Sequence, residues 1–320
     1  MPNWSADGSE IYFVRPADVA AGVVAALDAV SLTGEVRVVD EGKGQYSSLA
    51  VAPDGTVYYA DGAARHLFST AAAEPLPLGP RIDVVAISPD GERIAYYGRN
   101  DDADVVLGQL KVFSLADASV VTLSDAQPAG RGIEPESDRT LAFSPAGDQL
   151  FYVAGAADRG AGSGSGLVFD VATGAATSKT WELGYNPLLH WGAAGLRLAA
   201  VGPDGRYKVL NLDTGEVARL PAAASPEPMT DVWSADGGHI AYWTTACLES
   251  CGVFACCAGK TQHELLVADV STGQVRRVAA TGDLTIPNGL AWIYGGISFS
   301  PDGARIAYAI DGRIHICDIR

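Results

Sequence analysis

Three observations in the sequence predict an all-β chain, a seven-bladed β-propeller of four-stranded antiparallel blades filling residues 1–320 as one domain. The first is a turn. In Phe299-Ser300-Pro301-Asp302-Gly303, Pro301 presets the backbone of the first turn position, Asp302 suits the second, and Gly303 supplies a positive φ. Ile306 and Tyr308 then alternate with small residues at a period of two, which assigns strand and not helix. The second observation is recurrence: an apolar residue opens such a turn at 4, 51, 87, 143, 191, 233 and 299. Those spacings, from 36 to 66 residues, are the size of a blade. The third is a weaker signature after several copies, a strand ending in Asp followed by Thr-Gly. It occurs at Asp170 with Thr173-Gly174, Asp213 with Thr214-Gly215, and Asp269 with Thr272-Gly273, while Thr33-Gly34 holds that place in the first unit. Two hairpins per repeat make four strands.

The copies differ in quality. Those at 4 and 233 open with Trp-Ser-Ala-Asp-Gly, those at 51, 87 and 299 keep Pro-Asp-Gly, and that at 143 has Pro145-Ala146-Gly147. The copy at Trp191 has lost both Pro and Asp and retains Gly195. The Ser-Pro-Asp-Gly-x-x-Ile-Ala-Tyr pattern at 88–96 and 300–308 resembles the repeats of TolB-type, WD-like propellers, and also the propeller domains of prolyl-oligopeptidase-like enzymes. The resemblance implies protein–protein contacts on one face or at the channel mouth. It carries over no functional residue, because the matched motif is the structural turn.

The chain ends abruptly on both sides of this pattern. The last blade supplies three strands, ending at Ile314 to Ile319, and only three residues precede Trp4. An incomplete last blade is expected, on a chain trimmed from a longer one and having lost a leader. The apolar stretch Val19 to Val30 follows a complete hairpin and contains Asp28, so it reads as loop plus strand and not as a signal segment.

Charge narrows the partners. With 38 acidic against 22 basic residues the net charge is -16, which disfavours nucleic acid and anionic membrane surfaces. No apolar run reaches the ~20 residues of a membrane-spanning helix. A monomer with a protein partner is expected, a sugar or small ligand being the alternative.

In a four-stranded meander the connections 1–2 and 3–4 leave one end of the blade, and 2–3 and blade-to-blade connections leave the other. Here the first class is uniformly short. The length variation falls in the second: 15–22, 100–108, 126–139, 154–166, 222–231, 244–263 and 282–295. Binding residues gather on variable connections held by a rigid scaffold. The elaborated end is therefore the expected binding site, with Arg131, Glu134, Trp243, Phe254, Asn288, Trp292 and Tyr294 as candidates.

The insertion in the sixth repeat carries Cys247, Cys251, Cys256 and Cys257, followed by His263. Two disulfides are expected, each worth about 2–4 kcal/mol, with three pairings open. A thiolate zinc site including His263, or free thiols, are the alternatives; the spacing departs from paired Cys-x-x-Cys. The disulfide reading places the protein in the periplasm or outside the cell. Asp101, Asp102, Asp104, Glu134, Glu136 and Asp138 cluster beside Arg131 and Arg139, where calcium is the sharp reading and a solvated loop the expected one. No cofactor and no resident metal are expected.

There is no Gly-x-Ser-x-Gly elbow. A propeller enzyme, a lyase or hydrolase, remains the alternative, with His190, Arg139 and Glu136 converging at the channel mouth; a sensor domain of a larger protein is the third reading.

Overall fold

A computed structural model describes the chain except residues 1, 18–24, 42–45, 62–65, 80, 101–106, 124–126, 129–140, 154–162, 183–184, 202–205, 223–230, 248–260, 281–295, 311–312 and 320. The described residues form 27 strands and no helix, in seven antiparallel sheets taken in chain order, a seven-bladed β-propeller. Blade 1 is β1 (Asn3–Trp4), β2 (Glu10–Arg15), β3 (Ala26–Ser31) and β4 (Val36–Glu41). Blade 2 is β5 (Tyr46–Val51), β6 (Val57–Asp61) and β7 (His66–Ser69). Blade 3 is β8 (Ile82–Ile87), β9 (Arg93–Asn100), β10 (Leu107–Ser114) and β11 (Val120–Thr122), with β12 (Gln127–Pro128) also on β10. Blade 4 is β13 (Leu141–Phe143), β14 (Gln149–Val153), β15 (Ser163–Asp170) and β16 (Ala176–Glu182). Blade 5 is β17 (Tyr185–Gly192), β18 (Gly195–Val201), β19 (Arg206–Asn211) and β20 (Val217–Ala222). Blade 6 is β21 (Asp231–Trp233), β22 (His239–Cys247), β23 (Thr261–Asp269) and β24 (Val275–Ala280). Blade 7 is β25 (Ile297–Phe299), β26 (Arg305–Ile310) and β27 (Arg313–Asp318).

The chain divides into two compact units. One comprises Asn3–Arg159 with Gly164–Trp181, blades 1 to 4; in it β1 lies beside β5, β5 beside β8, and β8 beside β13. The other comprises Glu182–Arg320 with Gly160–Ser163 and Met1–Pro2, blades 5 to 7, where β17 lies beside β21 and β21 beside β25.

Each recurring residue of the turn has a hydrogen-bonding task. Ser300 is fully buried. Its Oγ donates to Asp302 Oδ1 at 2.5 Å and accepts from the Arg305 N–H at 2.9 Å. Asp302 Oδ1 also accepts from the Ala304 N–H at 3.0 Å, and the Gly303 N–H donates to the Ser300 carbonyl at 2.8 Å. The same set recurs at Ser5/Asp7, Ser88/Asp90 and Ser234/Asp236. In blade 4, where Ala146 stands at the Asp position, Asp148 reaches back to the Ser144 Oγ at 2.7 Å. Blade 5 solves the loss differently: Asp213, from the blade's other turn, accepts from the Leu196 N–H at 3.0 Å, and Asn211 donates to the Ala194 carbonyl at 3.2 Å.

That substitution corrects the second signature. The residue matching Asp170 and Asp269 is Asn211, not Asp213. Asn211 Oδ1 accepts from the N–H groups of Asp213 and Thr214, as Asp170 Oδ1 does from Thr173 and Asp269 Oδ1 from Thr272. Blade 3 closes the same connection with Ala118 at φ 56 where blades 1, 4, 5 and 6 place glycine. A non-glycine residue in that region costs about 1–2 kcal/mol, partly offset by the entropy glycine loses on folding. Ala118→Gly is therefore expected to stabilise the chain by about 0.5–1 kcal/mol, read as a shifted urea midpoint at constant slope.

The four-strand expectation fails in blade 2, the repeat with the shortest spacing. After β7 the chain runs through Pro75 and Pro77, which have no N–H to donate to a ladder. The Leu76 N–H donates to the Leu67 carbonyl at 2.8 Å and holds this segment on the strand edge, and Leu76 and Leu78 pack into the core there. The incomplete seventh blade is as expected: no described strand follows β27.

Candidate functional site

The two ends of the blades differ chemically. At the short-turn end the aspartates of the turns are committed to backbone N–H groups. The Ser5 hydroxyl and the Ser9 N–H hold Asp7 down at about 2, and the Ser271 hydroxyl and Thr272 N–H do the same for Asp269. Asp90, Asp170 and Asp236 are lowered by the same kind of bond, first to Ser88, Thr173 and Ser234. Groups held ionised in this way are poor general acids at neutral pH.

His190, the first candidate of the enzyme reading, belongs to this end. It sits on β17 two residues before the turn glycine Gly192, and its ring stacks on Trp233 with centroids 5.3 Å apart at 29°. A Cβ on Gly192 would lie 2.4 Å from His190 Nε2, and one on Gly237 would lie 2.5 Å from it. The imidazole is thus wedged beneath two turns, and its buried Nε2 has no hydrogen-bond partner among the described residues. Burial, then the Arg197 charge, lowers its pKa to about 4. Packing, not a channel mouth, accounts for this histidine. Arg139 and Glu136 lie outside the described residues.

The sign of the pH effect follows. The unfolded chain protonates His190 near 6.5, whereas the folded chain resists until about 4. Its contribution is complete above pH 6.5 and declines as pH falls toward 4, a loss of roughly 3 kcal/mol. Urea midpoints of wild type and His190→Leu, compared from pH 7 to 4.5, are expected to converge as the pH falls.

The opposite end carries the long connections. Residues 248–260 join β22 to β23, and 281–296 join β24 to β25, so both leave the same end of blade 6. Phe254, Asn288, Trp292, Tyr294, Cys251, Cys256 and Cys257 lie on these connections, and Arg131 and Glu134 on the segment 129–140; all are outside the described residues. Of the cysteine group only the backbone of Cys247 is placed, at the end of β22 paired with Thr261. Cys317 on β27 is a free thiol, half-buried, 3.6 Å from the Tyr308 hydroxyl.

Trp243 departs from its expected role. It is 0% exposed and packs with Leu265, Ile297, Ile306 and Tyr308, the last edge-on at 5.8 Å. The alternation of β22 turns Ala241 and Trp243 toward blade 7, and Ile240 and Tyr242 toward blade 5. A buried indole offers no anchor to a partner.

Two hydroxyls on the other face of β22 were not anticipated. Tyr242 and Thr244, at 0% and 1% exposure, have side-chain oxygens without a hydrogen-bond partner among the described residues. Only the strand's period of two could have shown that they share a face. In blade 1 the same end holds Asp28, buried and paired with Arg15 at 2.7 Å. Among the described residues no group of three or more His, Cys, Asp or Glu side chains is placed to hold a metal ion.

No protein-family model matches the chain. No curated protein matches it either. Among solved structures, Kuenenia stuttgartiensis hydrazine synthase is similar in fold, with a TM-score of 0.60 over 99% of this chain and 94% of that one. Sequence identity is 14%, so this likeness shows the propeller fold and nothing of the chemistry.

Proposed function

We propose that the protein is a non-catalytic binding platform whose long-connection end engages a protein partner outside the cytoplasm, in the manner of the TolB-type propellers its repeats resemble. One observation supports this most directly. The Ser, Asp and Asn side chains of the short turns are spent on capping backbone groups, while the long connections, apart from the segment 70–81 that follows β7, leave the other end. Fixed scaffold at one end and variable sequence at the other is the division of labour of a recognition module. The four clustered cysteines are read as two disulfides stapling the 248–260 connection, which is what assigns the protein to an oxidising compartment. No cofactor or resident metal is required by this reading, and the acidic composition favours a partner other than nucleic acid.

The test places photo-crosslinking residues at Asn288 and Trp292 for the long-connection end, and at Thr33 and Asp117 for the short-turn end. Discrete adducts from the exported fraction at the first pair alone are expected. Equal labelling at both ends would overturn the assignment. A free-thiol count on denatured, unreduced protein is run alongside; five free thiols would remove the disulfides and the compartment argument together.

A further inference from the structure

We infer that the seam between blades 5 and 6 contains an internal water site at its long-connection end, shared by the hydroxyls of Tyr242 and Thr244. Both residues stand on β22, and the strand's period of two gives them one face. That face is turned to blade 5. Tyr242 packs there with Leu188, Tyr207, Val209 and Leu220, and its ring centroid lies 4.8 Å from that of Tyr207. Blades 5 and 6 belong to the same compact unit, so the seam is internal to it. At 0% and 1% exposure both side chains are sealed from bulk solvent, and neither hydroxyl oxygen has a hydrogen-bond partner among the described residues.

The neighbouring strands show why no side chain nearby supplies the bond. Glu264 stands directly across from Thr244 on β23 and is the residue placed to pair with it. Its carboxylate instead accepts from the Arg277 guanidinium of β24 at 3.0 Å, one strand further out. Opposite Tyr242 stands Leu266, which has no polar side-chain atom. Apart from Tyr207, the side chains that blade 5 packs against this face are apolar. The arrangement is particular to blade 6. Two residues beyond the corresponding tyrosines, blade 3 has Gly98 after Tyr96 and blade 7 has Ile310 after Tyr308, so no second hydroxyl follows.

A hydroxyl buried without a partner destabilises the fold by more than the entropy lost when one water is held in place. Water also suits the chemistry. Burial pushes the Tyr242 hydroxyl up to about 12, so it stays protonated, and both side chains can donate and accept. Residues two apart on a strand are about 6.5–7 Å apart at Cα, a span that one or two waters cover. Held there, water fastens the end of β22, from which the 248–260 connection leaves, to the neighbouring sheet.

A high-resolution crystal structure of the whole chain tests this first. Oxygen-sized density is expected within about 2.5–3.0 Å of Tyr242 Oη and Thr244 Oγ1. A side chain or backbone group of the chain in that place, or a direct bond between the two hydroxyls, would overturn the inference. Solution stability gives an independent reading through Tyr242→Phe and Thr244→Val. Each is expected to lower the folding equilibrium constant about two- to tenfold. The double variant is expected to lose much less than the product of the two, because the shared site is disrupted by either change. Losses that simply multiply would mean that no common site joins the hydroxyls, and would overturn it equally.

Discussion

Replacing Trp243 by alanine is expected to lower the unfolding free energy by about 3–5 kcal/mol, the range for truncating a fully buried aromatic residue. The side chain fills the seam between blades 6 and 7, among Leu265, Ile297, Phe299, Ile306 and Tyr308. Those neighbours belong to strands fixed by backbone ladders, so they close only partly over the vacated volume. The measurement is the urea midpoint and slope of the second unit. Trp243→Phe, which keeps a ring edge near Tyr308, is expected to recover about half of the loss. An anchor for a partner would behave in the opposite way, leaving the midpoint in place and weakening binding alone.

Gly237→Ala is expected to cost roughly 2–4 kcal/mol, while the chemically identical Gly303→Ala costs about 1. Both glycines close the same turn, at φ 68 and φ 64, so the backbone penalty is shared. What differs is space: nothing lies within 4 Å of a Cβ at Gly303, whereas one at Gly237 meets His190 at 2.5 Å. The imidazole cannot retreat easily, because Trp233 stacks on it and Gly192 closes the far side. The double variant Gly237→Ala with His190→Ala is expected to return to the cost of His190→Ala plus the backbone penalty. Equal costs at Gly237 and Gly303 would show that the histidine is not held in place.

Much of the architecture is legible in the sequence. Seven Ser-Pro-Asp-Gly-like turns stand at residues 4 to 299, and each has the strand before and after it that period-two alternation assigned. This succeeds because the motif is local chemistry. A serine hydroxyl, an aspartate carboxylate and a positive-φ glycine satisfy one another within five residues, and their spacing is visible in one dimension. The incomplete last blade was legible for the same reason. The three-stranded blade 2 was not expected; its two prolines and short spacing are the signal that could have shown it.

The site was hardly legible, and the failures share a cause. Trp243 stands next to a long insertion, which suggested exposure, yet one strand position decides whether a side chain faces a neighbouring blade or solvent. His190 sat beside a tryptophan in the sequence, but the tryptophan that matters, Trp233, is on another blade. The sequence pattern sets Asp213 beside Asp170 and Asp269 as the residue ending its strand, whereas it crosses to the Leu196 N–H because the fifth turn lost its aspartate. By itself, then, the sequence determined the class, the number of blades and the ends from which the long connections leave, since short-range turn chemistry and strand periodicity suffice for those. Tertiary structure alone decided which aromatic residues are core, which histidine is wedged neutral, and which carboxylate completes the fifth turn, because each depends on a neighbour 17 to 45 residues away or on a second blade.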